Sequence, residues 1–319
     1  MENRLLTIWC LLDGKAGHQN QVLGLAEAIR RQVSAELHPV VLTPSQRGFR
    51  SLLPSSSRGL PEAAPDLMIG AGHATHLPLW TFRRRFGGKS VVLMKPTLPL
   101  RCFDLCLVPD VHRLRHVPEN TILTHGVLNR IQPSVTHDSG KGLILIGGPC
   151  SHYRWDSEKI ADQCRAVIDR SPRTEWTIAT SRRTPADFIE WCSAFETPHA
   201  LIRPDDVGPD WLVQQLSVSG TVWVSEDSVS MTYEAVTAGG QVGVLELRRH
   251  RSNRVTDCID VLVSEGYVTR WSLWQTTGKL DRRSHTFCEA DRCARKILQD
   301  ISPQAVTKTD DRPLTRRVA

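Results

Sequence analysis

Long hydrophobic runs are absent from this sequence. No apolar stretch approaches the ~20 residues that a membrane-spanning helix requires. The short apolar run near the N-terminus lacks a small-residue cleavage site, so residues 5–12 are predicted to form a strand and not a signal peptide. With 319 residues, 40% of them hydrophobic and 23% charged, the composition is typical of a globular cytoplasmic protein with two domains.

Paired cysteines and paired metal ligands are also missing. The 9 cysteines are odd in number and contain no Cys-x-x-Cys, which favours reduced thiols. No Asp-x-Asp pair occurs, and the 12 histidines do not form a helical His-x-x-x-His motif beside a carboxylate. The sequence therefore predicts a site that works without a metal ion.

Several motifs of nucleotide and acyl chemistry are not found. The chain has neither Gly-x-Gly-x-x-Gly nor the P-loop pattern, and it has no Gly-x-Ser-x-Gly. Its 3 tyrosines form no Tyr-x-x-x-Lys pair, so an NAD-dependent sugar-nucleotide epimerase is disfavoured. No cofactor is predicted.

Negative charge is in the minority. The formal net charge is +6, and arginines cluster at Arg83–Arg85, at Arg182–Arg183, and at Arg248–Arg251 with Arg254. Such clusters suit phosphate-bearing molecules or an anionic membrane surface, and solvated surface arginines are the plain alternative. Without a zinc finger, an RNP-like aromatic motif or a long basic helix, nucleic acid is not an expected partner.

Short apolar strands alternate with amphipathic helices along the chain. Strands are predicted at 5–12, 37–42, 66–70, 90–94, 104–108 and 121–123, and then at 143–146, 175–179, 221–225 and 242–245. A polar stretch at 132–142 separates the two series and is interpreted as a linker. This alternation predicts an α/β fold with mostly parallel sheets, divided into residues 1–135 and 141–285.

The stretch 225–242 is the most informative, because it reads as a strand, a Ser/Asp turn, a helix and a Gly-Gly stop. A helix N-terminus after a polar turn suits a phosphate. Glu234 lies one turn beyond Ser230 on the same helix face, where a carboxylate can accept hydrogen bonds from a ribose. The alternative is an ordinary helix start that Asp227 or Ser228 caps, with Glu234 on the solvated surface.

Other turns also follow predicted strands. Asp13–Asn20 would carry Asp13, Lys15, Gly17, His18 and Asn20 to the carboxyl end of the first strand, where His18 or Asp13 can act as a general base. A capping network explains the same residues. Gly72 and His73 are candidate acceptor-side contacts. Gly147–Gly148 and Ser181, Arg182 and Arg183 are candidates for the nucleotide, with tight turns and a proline-started helix as alternatives.

Four of these motifs occur in an order that resembles a known family. They are Asp13–Gln21, Ile146–Pro149, Thr180–Pro185 and Ser225–Val242. Together they resemble the family of the plant "elongated mitochondria" fission factor, whose bacterial members are regarded as glycosyltransferases. The chain departs from the family pattern at Lys95-Pro96, where an acidic residue is expected before the proline, and again at Pro109–His112.

The resemblance implies a GT-B architecture, with two Rossmann-like domains facing across a cleft. Residues 286–301 would form a helix that packs back on the first domain, and 302–319 a disordered tail. The second domain would hold a nucleotide-diphosphate sugar through Asp227, Ser228, Ser230, Met231 and Glu234. The first domain would bind the acceptor, with His18 or Asp13 near the anomeric centre.

The leading hypothesis is transfer of a sugar from a nucleotide-diphosphate donor to a glycolipid or saccharide of the cell envelope. The reaction would take place at the cytoplasmic face of a bacterial inner membrane, with peripheral contact to anionic lipid. Because the plant relative recruits a fission GTPase, the alternative is a non-catalytic adaptor that binds a membrane or a protein partner.

Overall fold

The computed structural model describes residues 5–52, 59–112, 114–208, 210–281 and 286–301. The first half of the chain forms a parallel sheet of six strands, here the first sheet: β1 (Leu6–Leu12), β2 (Ala35–Val41), β3 (Leu67–Ala71), β4 (Lys89–Leu93), β5 (Leu105–Pro109) and β6 (Thr121–Thr124). Their order across the sheet is β2-β1-β3-β4-β5-β6. Helix α1 (Ala16–Gln32) follows β1, and helix α2 (His73–Phe86) follows β3.

The second half repeats this plan. Its strands are β7 (Asp138–Leu145), β8 (Tyr153–Arg154), β9 (Glu175–Ala179), β10 (Ala200–Ile202), β11 (Ser219–Ser225), β12 (Gln241–Leu245), β13 (Arg248–Arg249) and β14 (Thr269–Arg270). Six of them form the second sheet in the order β10-β9-β7-β11-β12-β14, all pairs being parallel, while β8 and β13 form a short antiparallel ladder. The helices are α3 (Ser157–Asp169), α4 (Ala186–Ser193), α5 (Trp211–Val218), α6 (Val229–Ala238), α7 (Arg254–Ser264), α8 (Trp271–Thr277) and α9 (Glu289–Ile301).

Both sheets are covered on both faces, which is why their strands are nearly continuous apolar runs. All five residues of β3 and of β5 are buried. Helices α1 and α9 cover one face of the first sheet and α2 the other. In the second sheet, α5, α6 and α7 cover one face and α3, α4 and α8 the other. Each buried Leu, Ile or Phe contributes about 1.5–3 kcal/mol to this packing.

Helix α9 packs against α1 in the first half. Its buried residues recur at helical spacing and join the core of the first sheet: Ala290, Cys293, Ala294, Ile297 and Leu298. An ion pair of 2.5 Å between Arg31 and Asp291 fastens the two helices at their exposed edge. The chain therefore leaves the second half and completes the core of the first.

The predicted α/β class with mostly parallel sheets is confirmed, and some element limits differ. Strand β7 begins at Asp138, so the second part of the predicted linker is a strand. Gly142, inside this strand, lies under the Trp176 ring, where a Cβ would come within 2.4 Å of the indole. The domain limits stay a prediction, and the predicted disordered tail lies outside the described residues.

Candidate active site at the cleft

In each sheet, the chain adds strands first on one side of its starting strand and then on the other side. In the first sheet β1 lies between β2 and β3, and in the second β7 lies between β9 and β11. Loops that leave adjacent strands in opposite directions open a crevice at the carboxyl edge, which is where parallel sheets bind ligands. The loops after β1 and β3, and those after β7 and β11, are the ones singled out from the sequence.

Asp13 and His18 form a close pair after β1. The Asp13 carboxylate lies 2.8 Å from His18 Nδ1 and also accepts a hydrogen bond of 3.0 Å from the backbone N–H of Lys15. Burial of Asp13 opposes its ionisation, but the hydrogen bonds from His18 and Lys15 prevail and lower the pKa of this carboxyl below its usual value. His18 is partly exposed, so one ring nitrogen is held and the ring remains accessible.

Gly72 lies directly against the Asp13–His18 pair. Its φ is +86°, and a Cβ at this position would lie 2.3 Å from His18 Nδ1 and 3.0 Å from the Asp13 carboxylate. Only glycine satisfies both the backbone and the close approach. His73, the next residue, is exposed, and its ring stacks edge-on against His76 with centroids 5.8 Å apart.

The remaining candidates of the first half lie around α1. Lys15 is the N-cap of this helix, with an exposed side chain that makes no capping hydrogen bond. A Cβ at Gly17 would meet no atom within 4 Å. Asn20 lies one turn into α1 and faces the second half.

Asp227 joins the three loops that follow β7, β9 and β11. Its buried carboxylate accepts hydrogen bonds from the N–H of Gly148 at 2.9 Å, from Arg183 Nη2 at 2.9 Å and from Ser225 Oγ at 2.7 Å. A Cβ at Gly147 would lie 2.1 Å from this carboxylate. Burial raises the pKa of Asp227 above its usual value, against the effect of these hydrogen bonds. Through these hydrogen bonds, the buried Asp227 holds the three loops together.

The Thr180–Pro185 segment is tied to the same loops. Ser181 Oγ and Thr184 Oγ1 each donate to the carbonyl of Gly147 at 2.6 Å, and Arg183 donates to the carbonyl of Gly148 at 2.9 Å. The structure therefore uses Ser181 and Arg183 to hold the glycine turn. Arg182 is exposed beside them.

The predicted helix start after β11 is present but is not an ordinary cap. Helix α6 begins at Val229 with Ser228 as its N-cap, and the Ser228 side chain makes no capping hydrogen bond. Within the described part of the chain, the backbone N–H groups of Val229, Ser230 and Met231 have no protein acceptor. Ser230 is exposed and Met231 half-buried at this end of the helix. The unpaired N–H groups and the helix dipole make it attractive to an anion.

Glu234 is buried, with 7% of its surface exposed, so the alternative of a solvated surface residue is wrong. Its Oε1 accepts a hydrogen bond of 2.6 Å from Asn20 Nδ2 and one of 3.4 Å from Ser230 Oγ. Burial raises the pKa of Glu234 to about 7, although both hydrogen bonds favour the carboxylate. Because Asn20 and Glu234 belong to different halves, the candidate residues of both halves meet at this contact.

One buried network near the site was not foreseen. Glu226, directly before Asp227, is 1% exposed and accepts hydrogen bonds of 2.9 Å from both Arg249 and Arg270. Asp260 accepts from the same two arginines. In the sequence, Arg249 stands out only as a member of a basic cluster. The one signal for this network is Glu226, an acidic residue directly after a predicted strand. These arginines hold Glu226 and Asp260 together at the carboxyl edge of the second sheet.

No group of three or more His, Cys, Asp and Glu side chains is arranged to hold a metal ion in the parts of the chain that the structure describes. Within the same residues, no helix is long and apolar enough to cross a lipid bilayer.

Comparisons with known proteins agree with this architecture. A sequence model of the family described as "Mitochondrial fission ELM1" matches residues 16–301. Among curated protein sequences none is significantly similar. A solved UDP-N-acetylglucosamine 2-epimerase is 10% identical with a TM-score of 0.55, covering 98% of this chain and 100% of its own. The S. aureus MnaA–UDP structure is 12% identical with a TM-score of 0.50, covering 96% and 100%.

A third structure, Acinetobacter baumannii MurG, is 11% identical with a TM-score of 0.47 and covers 94% of each chain. At such identities a structural likeness shows the fold alone, and the first two structures carry that conclusion. The predicted GT-B arrangement of two Rossmann-like units is therefore confirmed.

Proposed function

This chain belongs to the Mitochondrial fission ELM1 family, and from that premise we propose that it is a metal-independent glycosyltransferase. It would move a sugar from a nucleotide-diphosphate donor to a glycolipid or saccharide of the cell envelope. The observation that carries the proposal is the meeting of two crevices. The Asp13–His18 pair lies in one, the open N-terminus of α6 with Glu234 lies in the other, and Asn20 joins them at 2.6 Å.

The donor would occupy the second half. Its diphosphate fits the backbone N–H groups at Ser228–Ser230, where the helix dipole stabilises negative charge without a metal ion. The exposed Arg182 can add a positive charge at the rim. Glu234 would accept hydrogen bonds from the ribose hydroxyls, and in this proposal they replace its contact with Asn20. Gly147 and Gly148 form the turn beside this site, where Asp227 and Arg183 fill the space that side chains would take and Asp227 accepts from the Gly148 N–H.

The acceptor would occupy the first half. With Asp13 holding Nδ1–H of His18, the other ring nitrogen is available to take the proton of an acceptor hydroxyl as its oxygen attacks the anomeric carbon. The nucleoside diphosphate leaves with its new charge facing the N-terminus of α6. Asp13 stabilises the imidazolium that forms, which is the role of a carboxylate behind a histidine base.

Membrane contact is part of the proposal, since an envelope glycolipid lies at the cytoplasmic face of the inner membrane. Arg84 and Arg85 are exposed at the end of α2, and the guanidinium of Arg84 lies over the Trp80 ring at 4.1 Å. Arginine and tryptophan side chains together suit an anionic lipid surface.

Thermal-shift titration with uridine, cytidine, guanosine and thymidine diphosphates tests the donor site, because a ligand that binds the folded state raises the melting temperature. We expect one nucleotide to stabilise the wild type and Glu234→Gln to weaken its binding. Glu289→Gln is the matched control, since Glu289 is equally buried but lies in α9. No shift with any nucleotide would refute the donor site.

Turnover tests the acceptor side. His18→Ala should leave nucleotide binding intact and lower the rate of transfer by about 100-fold or more, as is typical for loss of a general base. His116→Ala, at an exposed histidine, is the control. Equal rates for His18→Ala and the wild type would remove His18 from the mechanism. Conversion of the sugar nucleotide without an acceptor would point to an epimerase instead.

The non-catalytic adaptor remains the second candidate because Glu234 is already occupied by Asn20. In an adaptor this contact would be a permanent joint between the halves. The two functions predict opposite results, since an adaptor should show no nucleotide-dependent shift and no effect of Glu234→Gln on any ligand.

A further inference from the structure

Arg254 and His112 form another contact between the two halves. Arg254 Nη1 lies 2.8 Å from His112 Nδ1. Arginine can only donate, so Nδ1 of His112 accepts and its imidazole is neutral. The contact places a guanidinium of α7 against the segment that follows β5. It is unusual because a permanent cation faces an uncharged partner there.

Lys95 brings another cation to the same place. It follows β4, the neighbour of β5, and its side chain is exposed. The pKa of His112 is lowered by burial first and then by the charges of Arg254 and Lys95, so both cations act on one ring. Neither Arg254 nor Lys95 forms an ion pair with any carboxylate of the described residues. Asp110, which precedes His112 by two residues in the sequence, lies 3.5 Å from His125.

The backbone before Lys95 is strained. Met94 has a φ of +67°, and it is the one non-glycine residue with a positive φ in the part of the chain that the structure describes. The strained turn is held on both sides, because Met94 N–H donates to the Leu107 carbonyl at 2.8 Å and Thr97 Oγ1 lies 3.1 Å from His76 Nδ1. Strain of this kind is concentrated at functional sites, where it fixes a side chain that packing alone would not.

We propose that Lys95, His112 and Arg254 form an anion-binding site that takes a phosphate group of a substrate. Lys95 and His112 follow neighbouring strands of the first sheet, Arg254 reaches His112 from the second half, and no carboxylate among the described residues forms an ion pair with either cation. A phosphate offers oxygens to all three donors. The site lies along the carboxyl edge of the first sheet, two to three strands from β1, which is about 10–15 Å from His18 at the usual strand spacing.

The phosphate has two possible sources. One is the diphosphate of the donor, since α6 follows β11 and α7 comes after the neighbouring strand β12 and the short strand β13. The other is a phosphate on the acceptor, at the distance from His18 given above. The identity of the substrate rests on the proposed function, whereas the anion site itself can be tested without it.

Calorimetric titration with inorganic pyrophosphate tests the site at constant ionic strength. We expect the wild type to bind it, and Lys95→Ala and Arg254→Ala each to weaken binding about 10-fold or more through loss of a charge-assisted hydrogen bond. Arg173→Ala is the matched control, because Arg173 is exposed and precedes β9 at the opposite edge of the second sheet. Absence of binding to the wild type, or equal affinities in all variants, would overturn the site.

A conservative variant separates this role from that of a mere joint between the halves. Arg254→Lys keeps the charge but loses the forked geometry that contacts His112. Pyrophosphate affinity within a few-fold of the wild type supports the anion site. A loss as large as that of Arg254→Ala, together with a lowered melting temperature of the ligand-free protein in both variants, would make Arg254 a structural joint.

Uridine diphosphate and uridine identify the source. If the phosphate is the donor's, Lys95→Ala weakens uridine diphosphate but not uridine, and pyrophosphate competes with the nucleotide. If it is the acceptor's, nucleotide affinity is unchanged while pyrophosphate affinity falls, and both ligands bind together. Should no nucleotide bind at all, the proposed function fails while the pyrophosphate result still decides on the anion site.

Discussion

Glu234 brings a carboxylate into the interior of the molecule. The sequence placed this residue one turn into a helix after a polar turn, and the structure has it there on α6. Its burial and its bond to Asn20 were not predictable, because the two residues are 214 positions apart and no local pattern joins them. Helix periodicity reports which residues share a face, but not what another domain places on that face.

The raised pKa of Glu234 makes stability depend on pH. The unfolded carboxyl titrates near 4.5 and the folded one near 7, so the folded state binds the extra proton and the wild type loses stability as the pH rises through this interval. Glu234→Gln cannot lose a proton. We expect its free energy of unfolding, relative to wild type, to increase between pH 5 and pH 8 by up to about 3 kcal/mol.

Urea denaturation of both proteins at the two pH values measures this difference. Glu289→Gln, tested in parallel, should show no such trend, because Glu289 is paired with Arg292. A stability difference between Glu234→Gln and wild type that is independent of pH would contradict the buried, proton-binding state of Glu234.

Gly72 leaves room for the Asp13–His18 pair because glycine has no side chain. Gly72→Ala would force a Cβ to within 2.3 Å of His18 Nδ1 in addition to the strain of a positive φ. We expect destabilisation by about 1–3 kcal/mol and displacement of the His18 ring. Gly278→Ala is the control, since Gly278 also has a positive φ, of +68°, but no atom lies within 4 Å of its would-be Cβ.

Denaturant unfolding and the NMR signal of the His18 ring would measure the two effects separately. If Gly72→Ala and Gly278→Ala lose the same stability and leave the His18 signal in place, Gly72 has only a backbone role.

The loops of the second half act as one element because Asp227 links them. Each loop was recognisable in the sequence by its glycine, serine or arginine, and each was assigned to the nucleotide. The structure shows that Asp227, Ser181 and Arg183 contact one another's loops. Polar residues at strand ends are equally suited to a ligand and to a neighbouring loop, and only the packing of strands decides between them.

Asp227→Asn tests this linkage. An amide retains the shape but cannot accept from Gly148, Ser225 and Arg183 with both of its polar atoms, so we expect a loss of about 2 kcal/mol in the free energy of unfolding. The Gly148 amide proton should exchange faster with solvent. Asp162→Asn, at an exposed ion pair of 3.6 Å with Arg165, should change neither quantity by a measurable amount. Unchanged exchange at Gly148 would disprove the link.

At the scale of the molecule, the two halves meet inside the candidate donor site. Alternating strands and helices sufficed to predict both sheets, since periodicity is a local signal. Because β7 begins with polar residues, the sequence pattern did not show where the second sheet begins. The return of α9 to the first half was implied only by resemblance to a family. Contacts between halves depend on geometry that no segment encodes by itself.

Asn20→Ala tests how the halves are coupled to the nucleotide. If ribose hydroxyls replace Asn20 at Glu234, removing Asn20 removes a competitor, and nucleotide affinity should rise by about 5- to 10-fold. Gln21→Ala is the control, since Gln21 is also in α1 but contacts Gly17 and Met94. Weaker nucleotide binding in Asn20→Ala would mean that Asn20 assists the donor and does not compete with it.

The position of α9 has a consequence for synthesis on the ribosome. The core of the first sheet includes Ala290, Cys293, Ala294, Ile297 and Leu298, which emerge after the whole second half. While the second half is being translated, α1 presents an uncovered apolar face. The second half can fold around its own core in that interval, whereas the first half, although made first, is the last to be completed.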